Sequence, residues 1–282
     1  MIRTNRAHLY VNAQTHPGLS GKNNEDNFAV SAYTISSKNP TPSVLAIVSD
    51  GIGGHNGGEI ASELAVNLIS EMVENREGGH PLAIFENSFR QASKTIFEKA
   101  EKDSILKGMG ATASVVWIIG TQLYIAYVGD SRIYLIRNRT IRQLSRDHTW
   151  LQEAIEKKII DPSSGLKNHP NMHIIRRYLG SMEPPEPDLR LFLQPRENDK
   201  QARNNQGTTL AAGDVVLLCT DGLSDLSSNS EIADTLIGKT LQQSAQALIN
   251  LACERGGHDN ISVVLLGVPW NSQNPDPGWL PG

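Results

Sequence analysis

Two stretches of the chain end alike. Val44-Leu45-Ala46-Ile47-Val48-Ser49 runs into Asp50-Gly51, and Val215-Val216-Leu217-Leu218-Cys219-Thr220 runs into Asp221-Gly222. Each is a short apolar run that stops at an aspartate. An Asp-Gly pair alone signals a turn. Two further acidic sites change that reading. Asn23-Asn24-Glu25-Asp26 precedes one strand-like run, and Gly257-His258-Asp259-Asn260 precedes another. If these strands lie side by side, their ends bring Asp26, Asp50, Asp221 and Asp259 together. Gathered carboxylates repel, and burying one is costly unless a cation compensates. No Lys or Arg stands beside Asp50 or Asp221. An all-oxygen donor set points to a hard divalent cation, Mg²⁺ or Mn²⁺. Gly51 would let its own carbonyl approach such an ion closely. Two ions in one cage can activate a bridging water and clamp a phosphoryl group.

The elements that must position these acids are legible. Strands are expected at Ser43 to Ser49, Ala113 to Ile119, Gln122 to Val128, Arg132 to Arg137, Asp214 to Thr220 and Ile261 to Val268. Most are apolar on both faces, which suits strands buried between other layers. Gly120-Thr121 and Gly129-Asp130 separate successive strands, so a meander is expected there. Helical spacing marks Gly58 to Asn75, Pro81 to Lys102, Thr149 to Lys158 and Leu241 to Arg255. The order lacks regular βαβ alternation, which argues for two packed sheets with helices outside rather than a doubly wound sheet. Ile160 to Met172 and Pro195 to Thr209 read as loops.

The 282 residues are 39% hydrophobic and 20% charged, an ordinary globular balance that excludes a wholly disordered chain. The net charge of −4 advertises neither nucleic acid nor an anionic membrane, so a phosphate-bearing ligand needs a local device. Cys219 and Cys253 form no CxxC pair, and Cys219 reads as a buried structural thiol. Met1 to Ala13 carries no apolar signal region, so a cytoplasmic, monomeric protein is the expectation.

In chain order stand Asn23-Asn24-Glu25-Asp26, Asp50-Gly51-Ile52-Gly53-Gly54-His55 with Gly58-Glu59, and Gly108-Met109-Gly110-Ala111-Thr112-Ala113. Val128-Gly129-Asp130-Ser131-Arg132, Asp147-His148, Thr220-Asp221-Gly222-Leu223 and Asp259-Asn260-Ile261-Ser262 follow. Together they resemble the metal-dependent Ser/Thr protein phosphatases of type 2C, in their compact bacterial form. The resemblance implies an α+β fold, a four-layer α-β-β-α sandwich over 1–268, with a flap at about 160–177 and a proline-rich tail over 269–282. It implies Mn²⁺ or Mg²⁺, two ions in a core site and a weaker third. Asp50 would bridge two ions, the carbonyl of Gly51 would complete one sphere, and Asp221 and Asp259 would hold the other. Glu25 and Asp26 would act through water, and Asp130 with Asp221 matches the third site. Asn260 matches a position behind the ligands, and His55 could protonate the leaving oxygen. The implied reaction is direct hydrolysis of phosphoserine or phosphothreonine, a metal-bridging hydroxide attacking phosphorus in line.

The family's phosphate-gripping arginine, five residues before the motif aspartate, is replaced by Gly21. Lys22 could supply a charge, without a guanidinium's fork. Arg176 and Arg177, on the flap, could help recognise a phosphopeptide, and Arg132 is expected to order carboxylates. Its partner would be a phosphorylated protein, a Ser/Thr kinase or that kinase's targets. A non-catalytic phosphoprotein-binding module and a small-phosphoester hydrolase are the alternatives.

Overall fold

The computed structural model describes residues 1–53, 57–161 and 171–270. The chain begins with β1 (Ile2–Arg3), β2 (Tyr10–His16), β3 (Asn27–Thr34), β4 (Pro42–Ser49) and β5 (Gly51–Ile52). Helices α1 (Gly57–Glu74) and α2 (Pro81–Lys102) follow. Then come β6 (Gly110–Ala111), β7 (Ala113–Ile119), β8 (Gln122–Val128), β9 (Arg132–Arg137) and β10 (Thr140–Gln143). Helices α3 (Trp150–Glu156) and α4 (Asp199–Asn204) precede β11 (Thr208–Thr209) and β12 (Val215–Cys219). After α5 (Asp221–Ser224), α6 (Asn229–Thr235) and α7 (Leu241–Glu254), β13 (Ile261–Gly267) closes the fold.

One sheet runs β1-β3-β4-β7-β8-β11 and the other β10-β9-β12-β13-β2, while β5 and β6 form a separate ribbon. The principal pairings, such as β3 with β4 and β12 with β13, are antiparallel. Alternation along β4 explains its apolar faces. Val44, Ala46 and Val48 point between the sheets, against Val216, Leu218, Val264 and Leu266. Leu45 and Ile47 point the other way, into a core with Ile69 of α1 and Phe85 and Phe89 of α2. Strand β12 repeats the pattern, its Val215, Leu217 and Cys219 meeting Leu241, Leu248 and Ala252 of α7. Three apolar layers separate helix, sheet, sheet and helix, the expected α-β-β-α sandwich.

The segment Pro195 to Thr209, expected to be a loop, contains α4. Its asparagines are the reason: the Asn198 side chain accepts from the Gln201 N–H (3.0 Å), and Gln201 Oε1 accepts from the Asn198 N–H (3.0 Å). The polar residues that read as loop are a capping box. Strand β2 was absent from the expected strands because its sequence, YVNAQTH, is half polar. It lies at an edge of the second sheet and packs only Val11 and Ala13 against the inter-sheet core. Of the expected flap, 162–170 lie outside the described residues, as do 271–282 of the tail.

Candidate functional site

The register of the sheets carries the acids to one end. Asn27 pairs with Ser49, so Asp26, just before β3, lies next to Asp50, just after β4. In the other sheet the Thr220 N–H donates to Ser262 O (3.1 Å), setting Asp221 beside the chain that leads in from Asp259. Asp130 sits in the turn between β8 and β9. The acid-bearing strands lie side by side in two pairs, β3 with β4 and β12 with β13, not in a single row. The pairs belong to facing sheets, so the acids converge across the sandwich.

Neither Gly51 nor Gly222 is among the residues with positive φ, so these Asp-Gly pairs are not left-handed turns. A Cβ on Gly51 would collide with the Gly58 backbone, and one on Gly222 with the Asn260 carbonyl. These glycines are required by close backbone approach. Gly58, in turn, leaves room for the Glu25 carboxylate, which would lie 2.7 Å from an added Cβ. Asn260 ties the loops together. Its Oδ1 accepts from the Glu25 N–H (2.7 Å), and its Nδ2 donates to the carbonyls of Pro17 (3.0 Å) and Asn23 (3.1 Å).

A cleft of about 600 Å³ opens here, lined by Lys22, Glu25, Asp50, Asp221, Asp259 and the flap residue Ile175. Asp50 is half-buried among acids, and its carboxyl is raised well above the ordinary value, first by desolvation and then by Asp26, Asp221 and Asp130. Burial also pushes Asp26 up to about 7, with Asp221 and Asp259 adding to it. The Thr220 hydroxyl, donating to Asp26 Oδ2 at 2.9 Å, works in the opposite direction. Asp221 is raised to about 6, chiefly by burial and by Asp225. Asp130 is raised by burial and by Asp221.

The residues fit a divalent cation in chemistry. Asp26 Oδ1, Asp130 Oδ1 and Asp221 Oδ1 are buried and find no hydrogen-bond partner among the described residues. Buried polar atoms left in that state are costly, and hard cations supply what such oxygens lack. The acids are gathered around a cleft rather than closed into a cage. Among the described residues, no three of His, Cys, Asp and Glu converge on a ready-made ion site.

Arg132 grips Asp147 through Nε (3.0 Å) and Nη2 (2.7 Å), ordering a carboxylate as expected. Arg176 and Arg177 do not line the acid cleft. They line a neighbouring cavity of about 380 Å³ with His148 and Glu153. Arg176 is paired with Glu153 (3.4 Å), while Ile175 lines the acid cleft and His173 pairs with Asp225 beside it. The chain here is tied to the segment before α3: Ile175 bridges Thr149, the Arg176 N–H donates to His148 O (2.7 Å), and Arg177 Nη1 lies 3.4 Å from His148 Nε2, which holds both arginines on the His148 side. Lys22 does line the cleft. His55 lies outside the described residues. Cys219 is buried, its thiol pushed up to about 12 by burial, and is no nucleophile.

Sequence reasoning missed Asp225 and Thr112. Asp225 is four residues beyond Asp221 on a helical turn, raises the Asp221 carboxyl, and pairs with His173 (2.9 Å). The i, i+4 spacing from Asp221 was a usable signal. Thr112, within a quoted motif, holds the backbone of Asp50.

Acids brought from the strand ends of two facing sheets to one cleft are the donor set that a two-metal phosphohydrolase uses. A family model for protein phosphatase 2C matches residues 18–158. The serine/threonine phosphatase stp of Listeria welshimeri is 34% identical over 263 residues, covering 92% of this chain and 95% of that protein. The serine/threonine protein phosphatase PstP of Mycobacterium tuberculosis is 32% identical over 256 residues, covering 91% of this chain but 44% of the relative. The chain thus spans less than half the length of PstP. The crystal structure of the PstP catalytic domain in complex with two manganese ions superposes with a TM-score of 0.74 at 31% identity, covering 93% of this chain and 98% of that one. The chain belongs to the protein phosphatase 2C family.

Proposed function

We propose that this protein is a divalent-metal-dependent phosphatase that hydrolyses phosphoserine and phosphothreonine in proteins. The observation that carries the reading is the set of acids gathered at one end of the sandwich, three of whose buried carboxylate oxygens find no hydrogen-bond partner among the described residues. Asp50, Asp221 and Asp259 would hold the ions, with the Gly51 carbonyl, and with Glu25 and Asp26 through water. Asp130 would serve a weaker third site. Two Mn²⁺ or Mg²⁺ ions would supply an activated water nucleophile and neutralise charge on the phosphoryl oxygens.

The chain's own residues do the rest. Asn260 fixes the Glu25 loop, and Thr220 fixes the Asp26 carboxylate. Among the described residues lining the cleft, Lys22 is the cation, and it would meet the substrate phosphate. His55 is the candidate proton donor to the leaving serine or threonine oxygen. Residues 1–268 act as one catalytic unit. The substrates are phosphoproteins made by a Ser/Thr kinase, the kinase included, and the protein works as a cytoplasmic monomer. Among the described residues no helix is long and apolar enough to cross a membrane.

The test is phosphate release from a phosphothreonine peptide with Mn²⁺, Mg²⁺ or EDTA, for wild type and Asp221→Ala. Turnover that needs metal and collapses in the variant is expected. Turnover that survives EDTA rejects the reading. No turnover by folded, metal-loaded protein transfers it to the non-catalytic binding module.

A further inference from the structure

Thr112 lies between β6 and β7 and is fully buried. It grips both backbone groups of Asp50. The Thr112 N–H donates to Asp50 O (2.8 Å), and the Asp50 N–H donates to Thr112 Oγ1 (2.9 Å). The Thr112 carbonyl accepts from Ser49 Oγ (2.6 Å), so the end of β4 is held at three points.

The same side chain also holds the other acid loop. Thr112 Oγ1 lies 2.8 Å from Ser131 Oγ. A hydroxyl has one proton and two acceptor sites. Oγ1 uses one lone pair for the Asp50 N–H, leaving its proton free for Ser131. The Thr112 methyl packs against Gly129, where an added Cβ would meet Cγ2 at 2.5 Å. Gly129 has φ +104°, which an L side chain rarely adopts. The turn Gly129-Asp130-Ser131 is therefore seated on Thr112. From the other side, the Gly129 N–H donates to His148 Nδ1 (3.1 Å), and Ser114 Oγ donates to Ser131 O (2.6 Å).

We infer that Thr112 is a positioning residue that sets the placement of the Asp50 and Asp130 carboxylates relative to each other, and thereby couples the core ions to the third. The inference rests on the metal-centre reading above. Its two substituents divide the work: the hydroxyl links Asp50 to Ser131, and the methyl supports Gly129. Thr112 is fully buried and is not among the described residues that line the cleft. Removing its hydroxyl therefore acts on metal affinity and kcat, and leaves KM for the phosphopeptide in place. Partners that orient metal ligands typically change affinity by about 10–100-fold when removed.

The experiment titrates Mn²⁺ calorimetrically into metal-free wild type, Thr112→Val, Thr112→Ser and Ser131→Ala, with urea midpoints recorded for each. Thr112→Val is expected to weaken Mn²⁺ binding by about tenfold or more. Thr112→Ser, which keeps the hydroxyl, is expected to restore most of it. Ser131→Ala, which cuts the link and spares the Asp50 grip, is expected to weaken the later, weaker binding event alone. A Thr112→Val variant that titrates like wild type overturns the inference. So does a Thr112→Ser variant that falls as far as Thr112→Val, since the hydroxyl would then not be the agent. If Thr112→Val does not fold, Ser131→Ala decides, and an unchanged titration there overturns the link. Wild type that takes up no Mn²⁺ instead overturns the metal-centre reading itself.

Discussion

The departure at Gly21 bears directly on substrate affinity. A Cβ there would meet nothing within 4 Å, so there is space for an arginine. The backbone, at φ +73°, is what resists one. A non-glycine residue in that region carries about 1 kcal/mol or more of strain. Lys22, beside it, lines the cleft and is the cation proposed to meet the substrate phosphate. Lys22→Ala is expected to raise KM for a phosphopeptide about tenfold with kcat nearly unchanged, the pattern of lost uniform binding. An unchanged KM would show that Lys22 is solvated surface.

In metal-free protein Asp26 is raised to about 7 and Asp221 to about 6. Their unfolded values lie near 4. The native state therefore holds more protons than the unfolded chain between about pH 4 and 7, and stability is lost as pH rises through that window. In EDTA, urea midpoints should fall from pH 5 to pH 7.5. Saturating Mn²⁺ should abolish that fall by compensating the same charges. A midpoint that rises over this range in EDTA would show that the carboxylates are not crowded.

At the scale of elements, the burial of both faces of β4 and β12 matters most. Each strand contributes to two apolar layers, so an inward residue is enclosed from both sheets. Leu218, between the sheets and two residues before Thr220, is fully buried. Leu218→Ala is expected to cost about 2–5 kcal/mol of stability. Because β12 also delivers Asp221, the same change should weaken Mn²⁺ uptake even at temperatures where the protein stays folded. Loss of stability with unchanged Mn²⁺ affinity would mean that α5, rather than the strand, sets the position of Asp221.

For the whole molecule, the site draws on both sheets, so binding and folding are linked. Ions that bind only the folded state should stabilise it by mass action, about 2.7 kcal/mol at one hundred times Kd. Thermal unfolding should shift upward with Mn²⁺ and return with EDTA. Asp221→Ala should lose most of that shift. A Tm indifferent to Mn²⁺ in wild type would separate the acids from any ion.

The alternation of apolar residues, the glycine-punctuated meander and the helical spacing of Gly58 to Asn75 were local properties, and they were legible because periodicity is set by neighbours along the chain. The acids at strand ends, Asp26, Asp50, Asp221 and Asp259, were legible for the same reason: a charged residue closing an apolar run has few structural uses. The order of these motifs sufficed for the family. Tertiary structure alone decided that β4 and β12 face each other across two sheets, because nothing in a short apolar run states which sheet it joins. It alone separated Arg176 and Arg177 from the cleft that Ile175 reaches. It alone showed that Gly51 and Gly222 are glycines for the sake of a distant backbone, and that one buried threonine holds two loops that are far apart in sequence. These are contacts between distant segments, and only the packed chain brings them within reach.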